Sequence, residues 1–464
     1  MISRHRVVVT GLGLATSLGL DVEENWQKAL DGVSGIRKLA LPGAGKSPVQ
    51  AVGEVTGEDW DKIRNEFKDD AAREGERRTL FALWSAQSAL KDAGFFNSYN
   101  PPSPPFTKGG DQVRPTLEKG DAGGFSEKER DRYGVVLAAG LGINRLEDIQ
   151  RWTNKEGKFD YLKFGKEYKD VHRESLMKNN SNRPAALIAK RFGLNGYNST
   201  ITTACASATQ AIGTAYRAIS RGDADMMIAG GADSMINPVG LVFFVLLGAA
   251  SVSSGNPSEV CRPFDRKRSG LVMGEGAGVA ILEEESHAVK RGARIYAEVA
   301  GYGSTMDAYK VTAPHPQGIG AERSMINALK DADMDIDRID YINAHGTSTK
   351  LNDPAETLAI KKVFKENACN ISISSSKSVI GHLLAASGGP EFVFTVLSVN
   401  RDEIHPTINL KNPDPKCDLD YVPNVKKTGT VRAAISNSFA FGGQNASIVV
   451  KKYVKSGIQD EVKL

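Results

Sequence analysis

Residues Ala89–Gly94 read ALKDAG, and residues Ala328–Asp333 read ALKDAD. Each closes a segment with helical spacing. Upstream of the first, Leu80, Leu83, Trp84, Ala86 and Leu90 share one face of a helix expected over Arg77–Ala93. Each is followed by a strand-like run ending on glycine, YGVVLAAG at Tyr133–Gly140 and IDYINAHG at Ile339–Gly346. Farther along, Ser199–Thr203 and Asn370–Ser374 are both strand-like, and they lead to helical patterns at Ser207–Ser220 and Pro390–Val399. The same order of elements twice over argues duplication. The chain therefore divides into two β-α-β halves, residues 1–290 and 291–464. Strands alternating with helices predict an α/β protein with helices packed on mostly parallel sheets.

Between the first helix and its strand lies Asn97–Ser126, rich in proline and glycine and poor in aliphatic residues. It reads as an insertion on the surface of the first half. The 464 residues are 41% hydrophobic with a formal charge of +4. That composition fits a soluble globular protein and offers no general attraction for nucleic acid. Four scattered cysteines form no CxxC pair, which argues against a zinc knuckle and suits a reducing compartment. Neither apolar run, Val7–Leu20 or Val239–Ala250, reaches the ~20 residues of a membrane helix. The N-terminus lacks the pattern of a signal peptide, so a cytoplasmic location is expected.

Cys205 lies in TTACASA, residues Thr202–Ala208, between a strand pattern and a helix pattern. A lone cysteine among small residues is commonly packing. Its company changes the reading. His345 follows the strand DYIN and opens a loop of glycine and hydroxyl residues. Lys377 follows a serine-rich strand end, and His382 is expected to open an apolar helix. Cys205, His345 and His382 are each expected at the C-terminal end of a strand, where the crevice of an open parallel sheet lies. A helix N-terminus favours a thiolate at Cys205. Two imidazole N–H groups could hold the oxygen of a second thioester while its alpha carbon becomes negative. Lys377 needs a carboxylate, and Glu391 is the nearest in the following helix. The backbone N–H groups of Cys205 and Phe441 could form an oxyanion hole.

Taken together, VVVTGLG (Val7–Gly13), TACASA (Thr203–Ala208), GDADMMIAGGAD (Gly222–Asp233), RPFDRKRSGLVMGEGAG (Arg262–Gly278), NAHGTST (Asn343–Thr349), KSVIGH (Lys377–His382) and NSFAFGG (Asn437–Gly443) resemble one family. It is that of the elongating beta-ketoacyl-[acyl-carrier-protein] synthases, of the synthase II type. The resemblance covers nearly the whole chain outside Asn97–Ser126. It implies a thiolase-like fold, two duplicated halves layered α-β-α-β-α. It implies Cys205 as acyl-accepting nucleophile, His345 and His382 as catalytic histidines, Lys377 as active-site lysine with Glu391 as its partner, and Phe441 as gate. Thr347 and Thr349 match threonines that hold a pantetheine arm, and Ile143 and Phe244 fall at the acyl pocket. Arg73, Arg77 and Arg78 fall where the family docks its acidic carrier protein.

The implied reaction is decarboxylative condensation of malonyl-acyl-carrier-protein with an acyl chain on Cys205. It needs no metal or organic cofactor, because the phosphopantetheine arm comes with the acyl carrier protein. A homodimer is implied as well. The chain departs from the family pattern at several places. Ala440 replaces a glycine, Gln444 replaces a threonine, and Pro390 precedes Glu391 and calls for a helix start near Gly389. The run Leu241–Leu247 stands where the family has glycines, and Asn144–Pro184 is unusually polar. A degradative thiolase would need a second cysteine in the C-terminal glycine loop, and an initiating synthase would carry His and Asn. The alternative outside catalysis is a partner subunit of the chain-length-factor kind, which lacks the nucleophile.

Overall fold

A computed structural model describes residues 4–41, 43–74, 76–96, 125–140, 150–170 and 180–455. Ten strands make one sheet: β1 Val7–Ala15, β2 Tyr133–Ala139, β3 Asn198–Ile201, β4 Met226–Asp233, β5 Gly276–Glu284, β6 Ala297–Met306, β7 Tyr341–Asn343, β8 Ser372–Ser374, β9 Ala433–Phe439 and β10 Gln444–Lys451. Their spatial order is β8-β7-β9-β10-β6-β1-β5-β4-β2-β3. Read outward from the middle, β1-β5-β4-β2-β3 and β6-β10-β9-β7-β8 are the same permutation. Pairing directions match too. β2 is parallel to β3 and β4 while β5 is antiparallel to β4 and β1, and β7, β8, β9, β10 and β6 repeat the scheme. The two sets join where Val7–Val9 of β1 run antiparallel to Ala297–Val299 of β6.

Helices make three layers around these sets. α1 Arg77–Asp92 and α2 Arg183–Phe192 cover the outside of the first, and α5 Ile319–Asp331 and α6 Asn352–Phe364 that of the second. α3 Ser207–Ser220 and α7 Gly388–Arg401 touch each other and pack between the sets. α4 Pro238–Leu246 lies apart from these layers. The strands are apolar along both faces because helices cover both faces. They are not mostly parallel as expected: each set holds two parallel and two antiparallel pairs.

The ALKDAG/ALKDAD echo has a packing cause. Gly11 and Gly13 of β1 lie against the backbone carbonyls of Ala89 and Ser85, where a Cβ would overlap them. Gly301 and Gly303 of β6 lie against Ala328 and Ser324 in the same way. Two glycines on a strand and a small pair four residues apart on a helix bring the two backbones together in each half.

Of the Pro/Gly-rich segment, residues 97–124 lie outside the described residues. At its end Ser126 is exposed, as expected of a surface insertion, but Phe125 is buried, its ring edge-on to Tyr133 at 5.0 Å. Pro390 sits in the first turn of α7, near the expected start. No described helix is long and apolar enough to cross a membrane.

Candidate active site

Cys205 sits four residues beyond β3 and two before α3. The chain reaches it through Ala204, whose φ of +49° lies in the left-handed region that non-glycine residues avoid. Ser207 holds this elbow. Its Oγ accepts from the Thr203 N–H at 2.7 Å and donates to the Ala204 carbonyl at 2.6 Å. The sulfur points inward and the residue is 5% exposed.

His345 lies two residues beyond β7, in a loop that crosses onto α6. There the Glu356 carboxylate accepts the backbone N–H groups of His345 and Gly346, each at 2.8 Å. His382 does not open a helix and does not end a strand. It follows the turn Lys377–Ile380, bridges Met273, and is followed by the 3-10 turn Leu384–Ala386; α7 begins only at Gly388. A strand is therefore not what delivers this ring. The backbone of Val272–Gly274, which bonds His382 on both sides, delivers it.

The three side chains converge. Cys205 Sγ and one ring nitrogen from each histidine lie within 4.8 Å of one another. The rings stand 5.5 Å apart, nearly perpendicular at 88°. Hydrogen bonds set the histidine protons. The Leu384 N–H donates to His382 Nδ1 at 3.0 Å, and a backbone amide can only donate. Nδ1 is therefore bare and the proton sits on Nε2. The Lys377 ammonium lies 3.2 Å from His345 Nδ1, which leaves Nε2 of that ring as the protonated atom as well. Lys377 also pairs with the Glu391 carboxylate in the same buried space.

Burial decides the protonation states. It holds both imidazoles well below the usual histidine range, with Lys377 adding to the effect on each. Burial also pushes the Cys205 thiol up to about 11, against the pull of Lys377 and the Phe441 N–H. The expected thiolate is thus opposed by desolvation, and the resting group is a thiol. Burial raises Glu391 and Glu356 to about 7 each.

The loop after β9 completes the site. The Phe441 N–H faces the Cys205 sulfur, and its half-buried side chain packs against the apolar cluster to which Phe244, Met273 and Leu384 belong. Ala440, flagged as a departure, has an extended φ of −115° that any residue adopts. The left-handed positions fall instead on Gly442 and Gly443, at +83° and +81°. The Thr347 and Thr349 hydroxyls contact each other at 2.9 Å on the His345 loop.

Two family profiles match this chain. "Beta-ketoacyl synthase, N-terminal domain" covers residues 4–103 and 117–288, and "Beta-ketoacyl synthase, C-terminal domain" covers 296–411. The chain belongs to the beta-ketoacyl synthase family. The 3-oxoacyl-[acyl-carrier-protein] synthase 2 of Synechocystis sp. is 38% identical over 453 residues, covering 97% of this chain and 99% of the relative. A putative mitochondrial 3-oxoacyl-[acyl-carrier-protein] synthase of Schizosaccharomyces pombe is 38% identical over 462 residues, covering 97% and 100%. Among solved structures, a type II PKS ketosynthase in complex with its acyl-carrier protein aligns with a TM-score of 0.80 at 31% identity, and a beta-ketoacyl synthase of Burkholderia phymatum with 0.78 at 32%. Each alignment covers 97% of this chain and 100% of the other.

In this ketoacyl synthase, two sequence expectations need correction. Arg78 is 4% exposed, and its guanidinium donates to the Gly140 carbonyl at 2.8 Å inside the protein. It presents no charge to a docking partner. Arg77 is turned inward too, bonding Glu275 at 3.1 Å through Nε and lying over the Trp60 ring. The Arg73 side chain and Ile143 lie outside the described residues. Phe244 is buried in α4, while Val242, Phe243 and Leu246 of that helix are exposed. Sequence reading missed Glu356, Ser207 and the Leu384 N–H. A buried acid in the apolar pattern of α6 was the only available signal for Glu356.

Proposed function

We propose that this ketoacyl synthase carries out decarboxylative condensation, with Cys205 as nucleophile and His345 and His382 as the groups that hold the carbanion equivalent. The observation that carries the reading is the meeting of one thiol and one ring nitrogen from each of two histidines within 4.8 Å in a buried space. In the first half-reaction Sγ attacks the acyl thioester of the carrier protein. The bond to the arm's sulfur breaks, and the thiol proton ends on that departing sulfur. Both imidazoles already carry their proton on Nε2, so neither is set to receive it. The Cys205 and Phe441 N–H groups face the oxyanion, and helix α3 adds its N-terminal dipole.

In the second half-reaction the malonyl thioester oxygen accepts from both Nε2–H groups. The bond to carbon dioxide breaks and its electron pair becomes an enolate. The enolate carbon attacks the Cys205 thioester, the Cys205 sulfur leaves as a thiolate and takes up a proton from solvent, and the chain is two carbons longer. Neutral histidines suit this role, since they donate without first having to lose a charge. Lys377 keeps His345 in the donating tautomer, and Glu391 balances Lys377.

The reading assigns no resident metal or organic cofactor. The phosphopantetheine arm belongs to the acyl carrier protein, the synthase's partner, and Thr347 and Thr349 are assigned to that arm. Phe441 is assigned as gate, and Phe244 as part of the acyl pocket wall. We also assign a homodimer. The outer edge of β3 carries no described partner strand, and the aromatic cluster of Trp152, Phe159 and Phe164 stands beside exposed Tyr161 and Leu162. Four unpaired thiols suit the cytoplasm proposed for it. Intact-mass measurement tests the reading. Acyl-carrier protein should load one acyl group on the protein but not on Cys205→Ala, and malonyl-carrier protein should then release carbon dioxide and a longer product. A wild-type chain that never acylates overturns it.

A further inference from the structure

Asp233 closes β4, and its carboxylate accepts two backbone N–H groups. Ser234 N lies 2.8 Å from Oδ1, and Ala385 N lies 3.0 Å from Oδ2. The second bond spans the two halves, from the first half's sheet to the turn that follows His382. In that turn Leu384 has φ +54°, a left-handed conformation that a leucine adopts only when its surroundings impose it. This conformation accompanies the aim of the Leu384 N–H at His382 Nδ1. The turn's own bonds run from Ala386 N to Leu383 O and from Ser387 N to Leu384 O. The Ala385 N–H goes to Asp233 instead.

The surroundings of Asp233 are arranged for a carboxylate. Gly140 leaves the space that a Cβ would take 2.5 Å from Oδ2. Arg78, whose guanidinium is bonded to the Gly140 carbonyl, is the largest influence opposing burial, which lifts the carboxyl to about 6. Glu76 and Cys205 are the other charged or titratable groups felt there, and Glu275 is joined to Ser234 at 2.6 Å. At neutral pH Asp233 is therefore mostly ionised and can accept both N–H groups.

We propose that Asp233 is a positioning residue for the decarboxylating step: its carboxylate pins the Leu384 turn through the Ala385 N–H and so keeps the proton of His382 on Nε2, facing the substrate. The proposal rests on the synthase reading and separates the two half-reactions. Acylation uses Cys205 and the Phe441 N–H, which Asp233 does not bond. Decarboxylation uses His382.

The test measures both half-reactions in Asp233→Asn, which keeps the shape but turns an NH2 toward one of the two donors. Asp233→Ser is the second variant. Acylation of Cys205, read by intact mass, should stay within about twofold of wild type and also certifies the fold. Carbon dioxide release from malonyl-carrier protein should fall about 10²-fold, the scale of a misplaced reacting group. In a His382→Ala background the same substitution should change decarboxylation less than twofold, because its route of action is gone. The proposal is overturned if Asp233→Asn decarboxylates like wild type, loses acylation in the same proportion, or subtracts equally with and without His382. A wild-type chain that performs neither half-reaction would instead overturn the synthase reading.

Discussion

Lys377 holds its ammonium 3.2 Å from Nδ1 of His345 while pairing with Glu391, all three side chains buried. Removing one member of such a pair strands the other charge. Lys377→Met should cost about 3–5 kcal/mol of stability, and Lys377→Met with Glu391→Leu should recover most of that loss. Chemical denaturation of the single and double variants decides it. Equal losses in both would show that the pair carries no such coupling.

In the proposed cycle His382 enters after the acyl chain is loaded. His382→Ala should leave acylation of Cys205 within a few-fold and slow decarboxylation about 10²–10³-fold, the cost of one lost oxyanion donor. Separate assays of acyl loading and carbon dioxide release check the split.

The left-handed Ala204 is held by the Ser207 hydroxyl, which satisfies a donor and an acceptor at once. Ser207→Ala removes the partner of the half-buried Thr203 N–H, while the exposed Ala204 carbonyl keeps the Ser207 N–H, and should destabilise the chain by about 1 kcal/mol. It should also slow acylation, since the elbow aims the sulfur. Thermal unfolding and acyl loading are the two measurements.

His405 is fully buried against Ser376, 3.1 Å from its Nε2, and burial lowers it to about 4. Between pH 6.5 and 4 the unfolded chain binds a proton here that the folded chain refuses. Stability therefore stands in full above about pH 6.5 and falls as pH drops, by up to about 1.4 kcal/mol per pH unit for this group. His345 and His382 shift the same way and add to the slope. Denaturation from pH 7.5 to 4.5 should show the decline, and His405→Gln should flatten it by one proton's worth.

Arg78 belongs to the interior. Arg78→Ala should lower the unfolding temperature while leaving the salt dependence of carrier-protein binding unchanged. A shallower salt slope with unchanged stability would return Arg78 to the docking surface. Calorimetry with binding isotherms at two ionic strengths separates these outcomes.

The duplication was legible because packing wrote it into the letters. Small residues at Ser85 and Ala89, and again at Ser324 and Ala328, meet paired glycines on a strand, and larger side chains would hold the backbones apart. Strand direction was not legible. A strand buried on both faces is apolar throughout and reads alike whichever way its neighbour runs, so β5 and β10 gave no sign of being antiparallel. The adjacent letters Arg77 and Arg78 likewise hid two different burials, set by α1's contact with Glu275 and Gly140.

By itself the sequence determined the repeated architecture, the family, and the thiol, two imidazoles, ammonium and carboxylate that make the site. These are properties of side-chain chemistry and local spacing, and covalent order carries both. Only the tertiary structure decided that burial opposes the thiolate, that backbone and ammonium partners occupy Nδ1 of both rings, and that Glu356 bonds the His345 loop and Ser207 the elbow before Cys205. Protonation depends on desolvation and on which backbone amide faces which ring, and those arise only when segments hundreds of residues apart are packed together.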